Sequence, residues 1–131
     1  MGDNYRFKRV MIIDDSAADL WIAEQILKLH EQSSEIILRD NAVDALEYLL
    51  SNINVPEKLP HLILLDLLMP NMDGFEFLNE FQKLPDSLRR DCKIVMLSST
   101  VDLYDYKRIN INPLIEAFIS KPLVKDSLKY L

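Results

Sequence analysis

The sequence predicts an α/β fold: one domain built on a five-stranded parallel sheet with helices on both faces. Three observations predict it. The chain has 131 residues, a length suited to a single core that buries about two thirds of the unfolded chain's surface. Five short apolar runs, residues 10–13, 36–38, 62–65, 94–97 and 117–119, are rich in aliphatic and β-branched side chains, as strands buried on both faces are. Longer stretches of helical periodicity separate these runs, and a repeated β-α alternation gives a parallel sheet joined by right-handed crossovers.

After the first run, with helical residues turning about 100° each, Leu20, Ile22, Ala23, Ile26, Leu27 and Leu29 are assigned to one face. Trp21 points away from it, beside Glu24, Gln25 and Lys28. The second helical stretch starts at Asn41, a good N-cap, and carries Ala42, Ala45, Leu46, Leu49 and Leu50 inward. Asp73-Gly74 opens the third, in which Phe77, Leu78 and Phe81 recur at helical spacing until Pro85 stops it. Thr100 is placed to cap the fourth, which Pro113 ends, and residues 124–131 give a fifth helix of about two turns. The loops 53–60 and 85–92 both run from helix back to strand, away from the edge where ligands bind.

Composition narrows the function. A formal net charge of −6 disfavours nucleic acid, which is bound through clusters of Lys and Arg. The adjacent basic pairs Lys8-Arg9 and Arg89-Arg90 are more simply solvated surface. A single cysteine, Cys92, permits no intrachain disulfide and suits a reducing compartment, while His30 and His61 alone do not make a Cys/His metal site. No apolar stretch approaches the ~20 residues of a membrane span, and the start of the chain lacks a secretory signal, so a cytoplasmic location is expected. Gly2 and Gly74 are the only glycines, which leaves no glycine loop for a nucleotide.

In open parallel sheets, ligands sit beyond the carboxyl ends of the strands. There the sequence puts Asp14 and Asp15 after the first strand, Asp66 after the third, Ser98 after the fourth and Lys121 after the fifth. Any one of these aspartates could simply cap the following helix. Together they are harder to explain, because two carboxylates ~4 Å apart repel by about 4 kcal/mol at an effective dielectric near 20. Three of them call for a compensating cation beyond Lys121, and oxygen donors without His or Cys point to Mg2+ rather than zinc.

From Lys8 to Leu131 the chain resembles the receiver domain of bacterial two-component response regulators. The resemblance is carried by Val10-Met11-Ile12-Ile13-Asp14-Asp15, by Asp66 followed by Met69-Pro70 and Asp73-Gly74, by Ile94-Val95-Met96-Leu97-Ser98-Ser99, and by Phe118-Ile119-Ser120-Lys121-Pro122. It implies a doubly wound, flavodoxin-like sheet of order 2-1-3-4-5. It also implies that Asp66 accepts a phosphoryl group from a phosphohistidine of a sensor histidine kinase or histidine phosphotransfer protein. Asp15, Asp66 and the backbone carbonyl of Leu68 would ligate Mg2+, with Asp14 acting through water. Lys121 would pair with the phosphoryl group and the Ser98 hydroxyl would hydrogen-bond it. Lys121-Pro122 would be a cis peptide.

By the same resemblance, Ser98 and Phe118 form the switch, the hydroxyl moving toward the phosphoryl group as the aromatic turns inward. Phe118 replaces the commoner Tyr, Ser99 stands where Ala or Gly is usual, and residues 110–116 replace a Gly-Ala approach to the fifth strand. Leu68 and Thr100 hold the positions that tune phosphoryl lifetime, and neither carries a carboxylate or amide to orient water, so a persistent phosphoryl group is expected. Trp21 is a candidate docking residue for the kinase, the bland alternative being an isolated surface aromatic. The reading is of one receiver domain over residues 1–131 with no output domain, signalling through protein contacts or onward phosphotransfer. Two rival readings are a haloacid dehalogenase-type phosphatase, whose first strand should end Asp-x-Asp-x-Thr rather than Asp14-Asp15-Ser16, and a pseudo-receiver that works without phosphate.

Overall fold

The structure, a computed structural model, describes residues 5–99 and 101–131. In chain order its elements are β1 (Phe7–Ile13), α1 (Ala17–Leu29), β2 (Ser33–Arg39), α2 (Ala42–Ser51), a 3-10 turn (Pro56–Lys58), β3 (Leu62–Asp66), α3 (Gly74–Phe81), α4 (Asp86–Arg89), β4 (Lys93–Ser98), α5 (Leu103–Ile111), β5 (Ile115–Ser120) and a closing 3-10 segment (Lys125–Tyr130). Among the described residues the strands form one five-stranded sheet in the order β2-β1-β3-β4-β5, every pair parallel. The fold class is the one that the β-α alternation predicts, and the strand order is the one that the receiver-domain resemblance implies.

Two apolar layers explain why the strands read as unbroken hydrophobic runs. Successive strand residues face opposite sides. Met11, Ile13, Ile63, Leu65, Ile94 and Met96 pack on one side with Ala45 and Leu49 of α2 and Phe77 and Phe81 of α3. Val10, Ile12, Leu62, Leu64, Val95 and Leu97 pack on the other with Leu20, Ala23 and Leu27 of α1 and the C-terminal Leu128 and Leu131. The register aligns the strand ends: Ile13 opposite Leu65, Asp66 opposite Leu97, and Ser98 opposite Ser120.

The helices start as their polar residues dictate. Ser16, Asn41 and Asp73 cap α1, α2 and α3. At α3 the cap is reciprocal: the Glu76 amide donates to Asp73 Oδ1 and the Asp73 amide to Glu76 Oε1, each at 2.9 Å. Gly74 packs α3 hard against the end of β3, where a Cβ would lie 2.9 Å from the Asp66 carbonyl oxygen.

Several local expectations are corrected. Leu29 is 73% exposed, because it lies about two and a half turns beyond Leu20 and so on the opposite side of α1. Ile22 and Ile26 are half-buried, and Leu50 is 54% exposed, beyond the edge of the α2 face centred on Ala45 and Leu49. The cap of α5 is Asp102, whose carboxylate accepts from the Asp105 amide at 2.8 Å; Thr100, expected there, lies outside the described residues. The loop 85–92 contains the single turn α4, which inserts Leu88 into the core. The fifth helix is a 3-10 segment, not an α-helix. Its three-residue repeat keeps Leu128 and Leu131 on one buried side, and the Arg6 guanidinium donates to the carbonyls of both. No described helix is long and apolar enough to cross a membrane.

Candidate functional site

The strand order leaves the ends of β1, β3, β4 and β5 side by side along one rim. Asp14 follows β1, where its amide donates to the Arg39 carbonyl at 3.1 Å. Its side chain is buried, with Oδ1 accepting from the Ser16 amide at 2.9 Å. Asp66, the last residue of β3, is also buried. The Lys121 amide donates to the Ser98 carbonyl at 3.0 Å, which carries the chain from β5 across the end of β4, and the Lys121-Pro122 peptide is cis.

From there the Lys121 ammonium reaches three carboxylates: Asp14 Oδ2 at 2.7 Å, Asp19 Oδ2 at 2.9 Å and Asp66 Oδ1 at 3.3 Å. Asp15 stays exposed, but a carboxylate oxygen from each of Asp14, Asp15 and Asp66 lies within 4.8 Å of the others. With Asp15 beside them, four carboxylates share this corner with one ammonium, a formal local charge of three negative. Burial, reinforced by the neighbouring Asp14 carboxylate and opposed by Lys121, pushes the Asp66 pKa up to about 7. Burial alone would lower the Lys121 pKa, but its hydrogen bonds to Asp14 and Asp19 hold it above the usual lysine range.

This donor set fits a hard divalent cation. It offers only carboxylate oxygens, one of them on an exposed side chain, and carries more negative charge than one lysine neutralises. A buried carboxylate beside an ammonium and an acidic cluster that could hold a cation is also a set suited to phosphoryl transfer, which depends on positioning and on stabilising spread-out oxygen charge.

The other sequence candidates fall round this centre. Ser98 is buried at the end of β4, and Phe118 is half-buried on β5 against the core layer of α2 and α3. Leu68 and Ser99 are exposed just beyond the ends of β3 and β4. Trp21 projects from α1, 62% exposed. The lifetime position Thr100 lies outside the described residues. Asp19 is the site residue that sequence reasoning missed: it sits in the first turn of α1, not at a strand end. Its place is set by the cap of α1, where the Asp19 amide donates to Ser16 Oγ at 3.2 Å.

Comparison with known proteins agrees with this arrangement. Residues 10–130 match the family model for the response regulator receiver domain. The response regulator Rcp1 of Synechocystis is 34% identical over 95 residues, 70% of this chain and 63% of that protein. The chain spans 63% of the length of Rcp1 and 14% of that of the cyclic-nucleotide phosphodiesterase regA of Dictyostelium discoideum, to which it is 28% identical over 121 residues. Among solved structures, a response regulator receiver protein from Dyadobacter fermentans aligns with a TM-score of 0.82 and 32% identity, covering 93% of this chain and 92% of that one. The receiver domain of the histidine kinase CKI1 from Arabidopsis thaliana, complexed with Mg2+, aligns with a TM-score of 0.72 and 28% identity over 90% of this chain and 86% of that one.

Proposed function

The chain belongs to the response regulator receiver domain family, and from that premise we propose that it is a phosphorylation switch in a two-component phosphorelay, with Asp66 as the phosphoacceptor. One observation carries the reading: Asp66 ends the central strand β3 with the Lys121 ammonium 3.3 Å from its Oδ1 and two further carboxylates within 4.8 Å. The donor is a phosphohistidine of a sensor kinase or phosphotransfer protein. A carboxylate oxygen of Asp66 attacks phosphorus, the P–N bond breaks, and its electron pair leaves with the imidazole, which takes up a proton. The transferred group ends as an acyl phosphate on Asp66.

Each residue has a part that its position supports. Lys121 follows the charge from the carboxylate to the phosphoryl oxygens, and the Ser98 hydroxyl hydrogen-bonds them. Asp14, Asp15 and Asp66, with the Leu68 carbonyl, would hold Mg2+, which when bound supplies charge neutralisation for the phosphoryl oxygens. The fit of the carboxylate set supports this, as does the Mg2+ complex of the CKI1 receiver domain. Ser98 and Phe118 would carry the change to the surface of α5 and β5. The protein is then a phosphoacceptor that assists its own phosphorylation and dephosphorylation rather than an enzyme acting on a separate substrate.

The test is labelling by acetyl phosphate, read by intact mass, for wild type and Asp66→Ala with and without Mg2+. One added phosphoryl group that requires both Asp66 and Mg2+ is expected. A folded wild type that takes up none would favour the pseudo-receiver reading, and turnover of a phosphate ester such as p-nitrophenyl phosphate would favour a phosphatase.

A further inference from the structure

An ammonium has three N–H donors, and in this structure three carboxylates already engage the one on Lys121. The Asp66 contact, at 3.3 Å, is the longest of the three. A phosphoryl group brings about −1.5 to −2 charge and three acceptor oxygens. On phosphorylation the Asp66 contact passes to the phosphoryl oxygens, and Lys121 can give them a second N–H only by releasing Asp14 or Asp19. Asp14 is poorly placed to be released, since its side chain is buried and its other oxygen is tied to the Ser16 amide. The Asp19 side chain is 33% exposed, so water can replace the ammonium there.

Asp19 is also built into the site rather than wandering near it. Asp14 Oδ1 accepts from the Ser16 amide, Ser16 Oγ accepts from the Asp19 amide at 3.2 Å, and Lys121 joins the carboxylates of Asp19 and Asp14. This closed circuit ties the end of β1, the first turn of α1 and the end of β5. The helix N-terminus favours the Asp19 carboxylate on its own, so losing the lysine does not strand a charge.

We propose that Asp19 is a positioning residue that holds the Lys121 ammonium in the unphosphorylated protein and yields it when Asp66 is phosphorylated. The proposal rests on the phosphoacceptor reading above. By this exchange, the strength of the Asp19–Lys121 pair sets how readily Lys121 is available to an incoming phosphoryl group.

Two measurements test it. Asp19→Asn removes the charge but not the α1 cap, which is Ser16. It is expected to raise the initial rate of acetyl phosphate labelling with Mg2+ about two- to fivefold, and Asp19→Glu to restore the wild-type rate. The second measurement uses the wild type, so it does not depend on the variant folding: the 13C signal of the Asp19 carboxyl is expected to shift when Asp66 is phosphorylated, as the ammonium leaves it. Labelling of Asp19→Asn at the wild-type rate, or an Asp19 carboxyl signal that ignores phosphorylation, would overturn the proposal while leaving Asp66 as phosphoacceptor intact. A wild type that is not labelled on Asp66 would remove both.

Discussion

At the scale of single residues, the site is a place where the fold tolerates electrostatic strain. Asp66 is buried beside another buried carboxylate, and its pKa is raised from 3.8 to about 7. A carboxyl group whose pKa is raised by folding contributes stability that is complete below its unfolded value and is lost as pH rises through the folded value. Asp66→Asn, permanently neutral, escapes that loss. In EDTA, we expect urea unfolding to show the variant more stable than wild type by on the order of 2 kcal/mol at pH 8, with the difference much reduced at pH 5. A difference that does not change with pH would mean that the folded site accepts the Asp66 charge without cost. Residue-scale legibility was uneven for a related reason. The rim positions of Asp14, Asp15, Asp66, Ser98 and Lys121 were readable because strand ends are fixed by topology, whereas that of Asp19 depends on where the first turn of α1 points, and that is set by the Ser16 cap.

At the scale of elements, the junction between β3 and α3 helps to hold Asp66 in place. Asp73 and Glu76 fix where α3 begins, and Gly74 lets the helix approach the Asp66 backbone closely. A Cβ at residue 74 would meet the Asp66 oxygen at 2.9 Å and Leu67 Cα at 3.1 Å, both backbone atoms that cannot step aside. Gly74→Ala should therefore cost about 1–3 kcal/mol by overpacking and, on the proposed function, slow Asp66 labelling, because relief of the clash displaces Asp66. Asp73→Ala should cost about 1 kcal/mol through the lost cap, with labelling much less affected. Equal effects of the two variants on labelling would show that the close approach does not govern the site. Asp102 at α5 was passed over for Thr100, whereas the starts of α2 at Asn41 and α3 at Asp73 were legible in the sequence. The short α4 and the 3-10 closing segment were not, since a single turn leaves no periodicity to read, and Leu128 with Leu131 suits either helix type over so few residues.

At the scale of the whole molecule, the parallel sheet gathers the ends of four strands, and with them the acidic charge, onto one rim, while its two apolar layers absorb the cost elsewhere. Stability should then depend on whatever cation reaches that rim. Asp15 separates this effect from ordinary packing because its side chain is exposed, yet it lies within 4.8 Å of the other two carboxylates. Without Mg2+ it contributes mainly repulsion, so Asp15→Asn should be neutral or slightly stabilising. With Mg2+ at ten times its dissociation constant, the wild type should gain about 1.4 kcal/mol by mass action, and the variant, short of one ligand, should gain much less. The rank order of the two proteins in thermal unfolding should therefore reverse between EDTA and Mg2+, with added NaCl of the same ionic strength unable to cause the reversal. An equal gain for both proteins would place the cation somewhere other than this rim.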